Sequence, residues 1–312
     1  MEAIFEKSKR ALLLFSFLLL AGLLLTRSSV CVKLAGNGLR LWFENMIPVL
    51  LPFMILSGTL IRMNLSEGFV FLIYPFLNHV FHISRNACYV MAMGFMCGFP
   101  MGAKCIAELY GTGRLSRREA SLLLAFCNNI GPLYLLGFAL PLLKISDFKM
   151  VFLGMYGIPL LYGLILRYTI YAGKETRQYL PVEQMHAPNL FACLNASIAA
   201  SIQSILMLGG YMILFNLLMI VPMVISGQMS GLMAPLFEIS GGLMILQNRH
   251  LCAALCYLQF GGLSCIAQTY HCIQDTDLSI LEYVVHKLVL AILTFLFYKI
   301  YFGCLLPFLR PL

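Results

Sequence analysis

Read for runs of apolar and polar positions, the chain is a succession of apolar stretches of roughly membrane-spanning length, from Leu12 to Leu306, joined by short polar turns. The stretches fall near 11–26, 41–61, 68–82, 87–109, 120–143, 150–168, 197–223, 230–246, 250–270 and 281–303. The pattern predicts an all-α polytopic membrane protein with about eight to ten transmembrane helices. The 68–82 stretch is short and holds Pro75, which suits a re-entrant arm as well as a span.

Composition agrees with this picture and removes alternatives. Of 312 residues, 61% are hydrophobic and 11% charged, against about a quarter charged in an ordinary globular chain. The net charge of +8 does not point to nucleic acid, because the 21 Lys and Arg stand mostly at the ends of apolar segments rather than in one tract, with Lys104, Lys287 and Lys299 inside apolar segments. With ten spans and a cytoplasmic amino end, twelve of those 21 lie inside and six outside, Arg85 among the six. Lys7, Lys9 and Arg10 before LLLFSFLLLAGLLL imitate a signal peptide, but no A-x-A site follows, so a retained first span is expected. The 11 cysteines include no C-x-x-C pair and read as small apolar residues. No cofactor or metal set is expected.

The longest polar stretch, 172–189, divides the chain. We expect a first helix and loop over 1–40, a first repeat over 41–171, the linker over 172–189 and a second repeat over 190–312. Cys105, Ile106, Ala107 and Tyr110 recur as Cys265, Ile266, Ala267 and Tyr270, and Gly102 as Gly262. Leu115, Ser116 and Glu119 recur as Leu278, Ser279 and Glu282, and both S-x-x-E sets read as capping boxes. Arg114, Arg117 and Arg118 adjoin one box, Asp275 and Asp277 the other. Opposite sides of the membrane would explain the contrast, and two inverted-repeat halves with broken helices or re-entrant hairpins are therefore expected.

Three polar breaks carry the candidate chemistry. In CGFPMGAKCIAELYG, Gly98, Pro100 and Gly102 interrupt a helix just before Lys104. Unpaired backbone there must face protein or a wet cavity, and with Lys104 it would suit an anionic or strongly polar group. The alternative is that Lys104 snorkels and the small residues ease packing. In AFCNNIGP, Asn128 and Asn129 precede Gly131 and Pro132; they read a substrate or ion, or they bond neighbouring helices. In LFEISGG, Glu238 precedes Ser240; it is a proton relay, ion ligand or counter-ion, or a helix cap. Glu108, one turn after Lys104, is a weaker candidate of the same kind.

GFPMGAKCIAELYGTGRLSRREASLLLAFCNNIGPLYLLG resembles a segment of sporulation integral membrane proteins of the YlbJ type, with further likeness in LFEISGGL and GGLSCIAQTYHCI. That family belongs to a nucleoside-recognition or Gate group that also holds spore maturation proteins and the membrane part of ferrous iron transport proteins, and is related to nucleoside transporters. The resemblance implies a multi-pass protein of the bacterial plasma membrane, in mother-cell or forespore membrane, acting in endospore and cortex formation. Carried onto this chain, its motif positions are Gly98, Pro100, Gly102, Lys104, Glu108, Asn128, Asn129, Gly131, Pro132 and Glu238. Met101 stands where the family often has a smaller residue, which leaves a shared substrate open.

Two functions follow as expectations. One is a transporter or gated pore for a small polar or anionic solute, bound by Gly98, Pro100, Gly102, Lys104, Asn128, Asn129, Gly131 and Pro132, with Glu238, Glu108 and Ser240 serving ion or proton coupling. The other is a structural or assembly protein of the developing spore membrane. An enzyme is not expected, since no nucleophile and base stand together. Partners expected are the bilayer, the solute and, as an open possibility, further copies of the chain.

Overall fold

The computed structural model describes residues 14–15, 17–145, 147–173, 189–226 and 230–305; the basic amino terminus and most of the 172–189 linker lie outside the described residues. Among the described residues there is no strand. The helices are α1 (Phe17–Thr26), α2 (Ser28–Arg62), α3 (Tyr74–Phe81), α4 (Arg85–Cys97), α5 (Met101–Gly111), α6 (Arg117–Phe126), α7 (Pro132–Leu143) and α8 (Phe148–Tyr168). After the linker come α9 (Leu190–Ile225), α10 (Ser230–Phe237), α11 (Ile239–Leu246), α12 (Leu251–Phe260), α13 (Gly262–Ile273) and α14 (Ile280–Ile300). Five helices, α2, α8, α9, α12 with α13, and α14, are long and apolar enough to cross a membrane. The chain is a multi-pass integral membrane protein.

Prolines shape the long helices. Three π turns, at Trp42–Met46, Leu135–Ala139 and Leu153–Gly157, are each followed two residues on by Pro48, Pro141 or Pro159. A proline lacks the N–H that its fourth predecessor's carbonyl needs, and the freed carbonyl accepts a wider bond. Close helix contact rests on small residues, as expected where lipid supplies no hydrophobic drive. A Cβ on Gly38 of α2 would stand 2.9 Å from the Ile213 Cα of α9, and one on Gly58 would stand 3.2 Å from Ser197 Oγ. Trp42 closes the same interface by donating to Ile205 O at 2.8 Å.

The stretch 87–109 is a re-entrant hairpin and not one span. Tyr89 of α4 donates to Ser57 Oγ at 2.9 Å, and Cys105 of α5 meets the same oxygen at 3.2 Å, so residues on either side of the break lie at one level. At the open end, Ser84 caps α4 by accepting from Ala87 N, and Glu119 holds Ser84 through its amide and hydroxyl at 2.7 and 3.0 Å. Arms of 13 and 11 residues reach only about 17–20 Å at 1.5 Å per residue. Arg85 pairs with Glu67 at 3.9 Å, and its neighbours Ser84 and Asn86 bond Glu119 and the Arg114 carbonyl, so Arg85 lies at the same end as Arg114 and not on the opposite face as the charge count expects.

The stretch 230–246 is a second hairpin, α10 against α11. A Cβ on Gly242 would fall on the backbone of Pro235, so the arms touch along their main chains. It opens at the other end of the molecule, where Gln247–His250 packs against Leu140–Leu143. The remaining breaks keep their direction: α6 leads on to α7 across 127–131, and α12 to α13 across Gly261. The 68–82 stretch forms the end of a one-turn helix, Ser66–Phe69, and the short α3, with exposed Phe71 and Leu72 between them.

The repeat match between 102–119 and 262–282 does not survive as an inversion. Both α5 and α13 start beside Phe99 and run side by side, and their far ends are clipped together. Tyr110 donates to Asp277 at 2.6 Å, and Arg117 pairs with Asp277 at 2.9 Å. The basic and acidic loops are neighbours that attract each other, so their charge contrast does not report opposite membrane faces. The capping hydroxyls themselves stand as expected: Ser116 accepts from Glu119 N at 3.1 Å and Ser279 from Glu282 N at 3.2 Å.

Candidate solute site at the helix breaks

Both hairpin tips come to rest on the two broken helices. Gly98 turns the first tip with φ +82 and ψ −166, backbone that a side chain strongly disfavours, and Phe99–Pro100 is a cis peptide. A Cβ on Gly98 would collide with the Gly131 amide, and one on Gly102 would stand 2.9 Å from Cys127 O. The glycines of GFPMG and NNIGP therefore answer each other: they let two irregular backbones cross. The second tip does the same on the second break, where a Cβ on Gly262 would meet Pro235 O at 2.8 Å.

The asparagines repair this crossing. Asn128 accepts from Ala103 N at 3.4 Å and donates to Thr269 Oγ1 at 2.8 Å and Tyr283 Oη at 3.2 Å. Asn129 donates to Phe126 O at 2.5 Å and accepts from Gln259 Nε2 at 3.1 Å and Lys287 Nζ at 3.2 Å. Both are buried and spend their polar atoms on other helices and on the break itself, which is the second of the two roles their position allows.

Glu238 forms the second tip and is 2% exposed. It caps α11, accepting from Ser240 N at 3.1 Å and Gly241 N at 2.7 Å, and it accepts from Asn216 Nδ2 at 3.0 Å. Every one of these partners is a donor, which suits an acceptor-only carboxylate at a helix N-terminus. Tyr134 donates to Ser240 Oγ at 2.8 Å and so ties the second hairpin to α7.

Between the tips, the breaks and the π turn of α2 lies a cavity of about 200 Å³. Phe99, Gly131, Tyr134, Glu238, Ser240 and Gln268 form its inner wall, and Glu44 and Asn45 are brought to it by the π turn. Its described lining contains two carboxylates and no Lys or Arg. Of the residues singled out from sequence, Gly131, Glu238 and Ser240 line it, while Gly98, Pro100, Gly102, Asn128, Asn129 and Pro132 build the walls behind.

Lys104 does not enter this cavity. It donates to Ser204 Oγ at 3.1 Å beside a recess of about 10 Å³ with Gln268 and His271. Glu108 follows it among Lys104, Arg62 and Arg114. The cation at the breaks is Lys287, 1% exposed, which donates to Asn128 O at 3.3 Å and to Asn129 Oδ1, and lies over the Phe99 ring at 4.7 Å. In the sequence Lys287 is a charge inside an apolar segment, and a mid-span charge is itself the signal of a built polar centre. Tyr134 and Gln259 carried no such signal.

No family model and no solved structure matches the chain. Among curated proteins it is similar to "Sporulation integral membrane protein YlbJ" of Bacillus subtilis (strain 168), with 29% identity over 224 residues. The alignment covers 64% of this chain and 53% of the relative, so the chain spans about half the length of the curated relative it matches. The similarity agrees with the resemblance carried by GFPMGAK, AFCNNIGP and LFEISGG.

Proposed function

We propose that the chain is a secondary transporter or gated pore that binds a small polar solute in the cavity between the hairpin tips and the helix breaks. The observation that carries this reading is Glu238: a buried carboxylate, fixed by three donors, on the wall of a cavity within an apolar molecule. A charge so placed is costly and is kept where it meets a solute, an ion or a proton. Two carboxylates and no cation in the described lining favour a neutral or cationic solute over the anionic one that Lys104 suggested.

The arrangement of elements supports the same reading. Hairpin α4–α5, broken helix α6–α7 and helix α8 are followed by hairpin α10–α11, broken helix α12–α13 and helix α14, with the hairpins opening at opposite ends. We read this as an inverted duplication in a register different from the motif match, of the kind that places a solute site at the midplane of transporters. From the similarity to YlbJ we propose that the solute is handled in the membrane of a sporulating cell.

The test is a ligand screen on purified protein in detergent. Nucleosides, divalent metals, dipicolinate and cell-wall precursors are added while thermal melting and the fluorescence of Trp42, the single tryptophan, are followed. Trp42 opens the π turn that delivers Glu44 to the cavity, so solute binding is expected to raise the melting temperature and change its emission. A folded Glu238→Gln variant should lose both responses. If no compound shifts the wild type, the polar core serves helix packing alone and the structural reading replaces this one.

A further inference from the structure

Lys287 is a charge that the proposed solute cavity does not use, and its surroundings are unusual for a buried lysine. It stands inside α14, and among the described residues it forms no ion pair. It donates to Asn128 O at 3.3 Å and Asn129 Oδ1 at 3.2 Å and lies over the face of Phe99 at 4.7 Å, with the Cys265 thiol also near. Three acceptors match the three N–H bonds of an ammonium, whereas a neutral amine offers two. The oxygens belong to the stretch where α6 ends, so leftover carbonyls and the negative end of the helix dipole face the charge. Gln259 shares Asn129 Oδ1, and its own Oε1 is buried without a partner.

An oxygen-lined, carboxylate-free junction at the end of a half-helix has the chemistry that coordinates a monovalent cation in broken-helix membrane proteins. We infer that this junction is a monovalent-cation site whose occupant is the chain's own Lys287 ammonium. The tethered charge holds the unwound stretch 127–131 against α12 and α14, so that this crossing needs no alkali metal ion. Phe99, with one face toward Lys287 and its ring in the cavity wall, makes that cation part of the wall's support.

Three chains are compared by thermal melting in matched concentrations of choline, sodium and methylammonium chloride: wild type, Lys287→Ala and Lys287→Met. Wild type should melt alike in all three salts. Lys287→Ala opens the site, and sodium or methylammonium, but not the bulky choline, should raise its melting temperature by roughly 2–4 °C through mass action. Lys287→Met fills much of the space without charge and should melt below wild type in every salt. The inference fails if Lys287→Met matches wild type, since well-packed apolar replacements of a charge that is merely buried are often neutral or stabilising. It fails equally if folded Lys287→Ala answers to no small cation. Should Lys287→Ala not be recoverable, Lys287→Met decides.

Discussion

The crossing of the first hairpin tip over the break between α6 and α7 makes Gly98→Ala the sharpest test of the architecture. The native backbone there, φ +82 and ψ −166, lies in a region essentially reserved for glycine, and a side chain in such a region costs about 1–3 kcal/mol. The added methyl would also fall on the Gly131 amide, with Gly131 Cα at 2.7 Å and the Ile130 carbonyl carbon at 3.0 Å. All three are main-chain atoms, so no rotamer change relieves the clash, and overpacking of this kind costs another ~1–3 kcal/mol. A total of roughly 2–6 kcal/mol, at about 2 °C per kcal/mol for a chain of this size, lowers the melting temperature by ~4–12 °C. The assay is thermal unfolding in detergent beside Gly36→Ala, an exposed helical glycine with no atom within 4 Å of its would-be Cβ. That control should be unchanged or slightly more stable, since alanine is favoured over glycine in a helix interior by roughly 0.5–1 kcal/mol. If Gly98→Ala melts within about 2 °C of wild type, the tip and the break do not touch main chain to main chain, and the cavity drawn from their contact falls with them.

Two further outcomes follow from single residues. Glu238→Ala leaves the Ser240 and Gly241 amides and the Asn216 amide group without their acceptor; with roughly 1–3 kcal/mol for each buried donor left unpaired, it should be among the most destabilising substitutions in the chain. Glu238→Gln, which keeps one acceptor oxygen, should fall between it and wild type; equal melting of all three would remove the cap. Asp277 is held below the ordinary carboxylate range by the Tyr110 hydroxyl that donates to it and by Arg117. A depressed folded value means its contribution is present above the unfolded value near about 4 and is lost as pH falls through the lower folded one. Wild type should therefore lose stability below about pH 4, less so in high salt, and Asp277→Asn should show a shallower acid limb; superimposable limbs would mean that the clip contributes nothing.

Which parts of this architecture were legible follows from what each residue encodes locally. Spans and breaks were, because hydropathy and Gly or Pro act over a few neighbours. The sense of a break was not: Gly98 and Gly261 both take positive φ, yet at Gly98 ψ −166 turns the chain back, whereas at Gly261 ψ −13 lets it continue. The neighbour packed against each glycine differs, the Gly131 main chain in one case and the Phe99 ring in the other. Lys104 and Lys287 repeat the lesson for charge. Lys104 sits in a motif-rich stretch, but its helix phase aims it at Ser204, while Lys287 reaches the break through a contact 159 residues away in sequence. Glu238 was legible because an acid before Ser-Gly-Gly reads both as a cap and as an intramembrane charge, and in the structure it is a cap that lines the cavity. The two properties depend on each other. A carboxylate with its oxygens already held by α11 and Asn216 presents a fixed charge to a solute, with little rotamer freedom to lose on binding. The same hydrogen bonds make the second tip rigid enough to rest on Gly262. On the proposed function, a solute bound against Glu238 would therefore meet a charge whose position is set by the second tip itself.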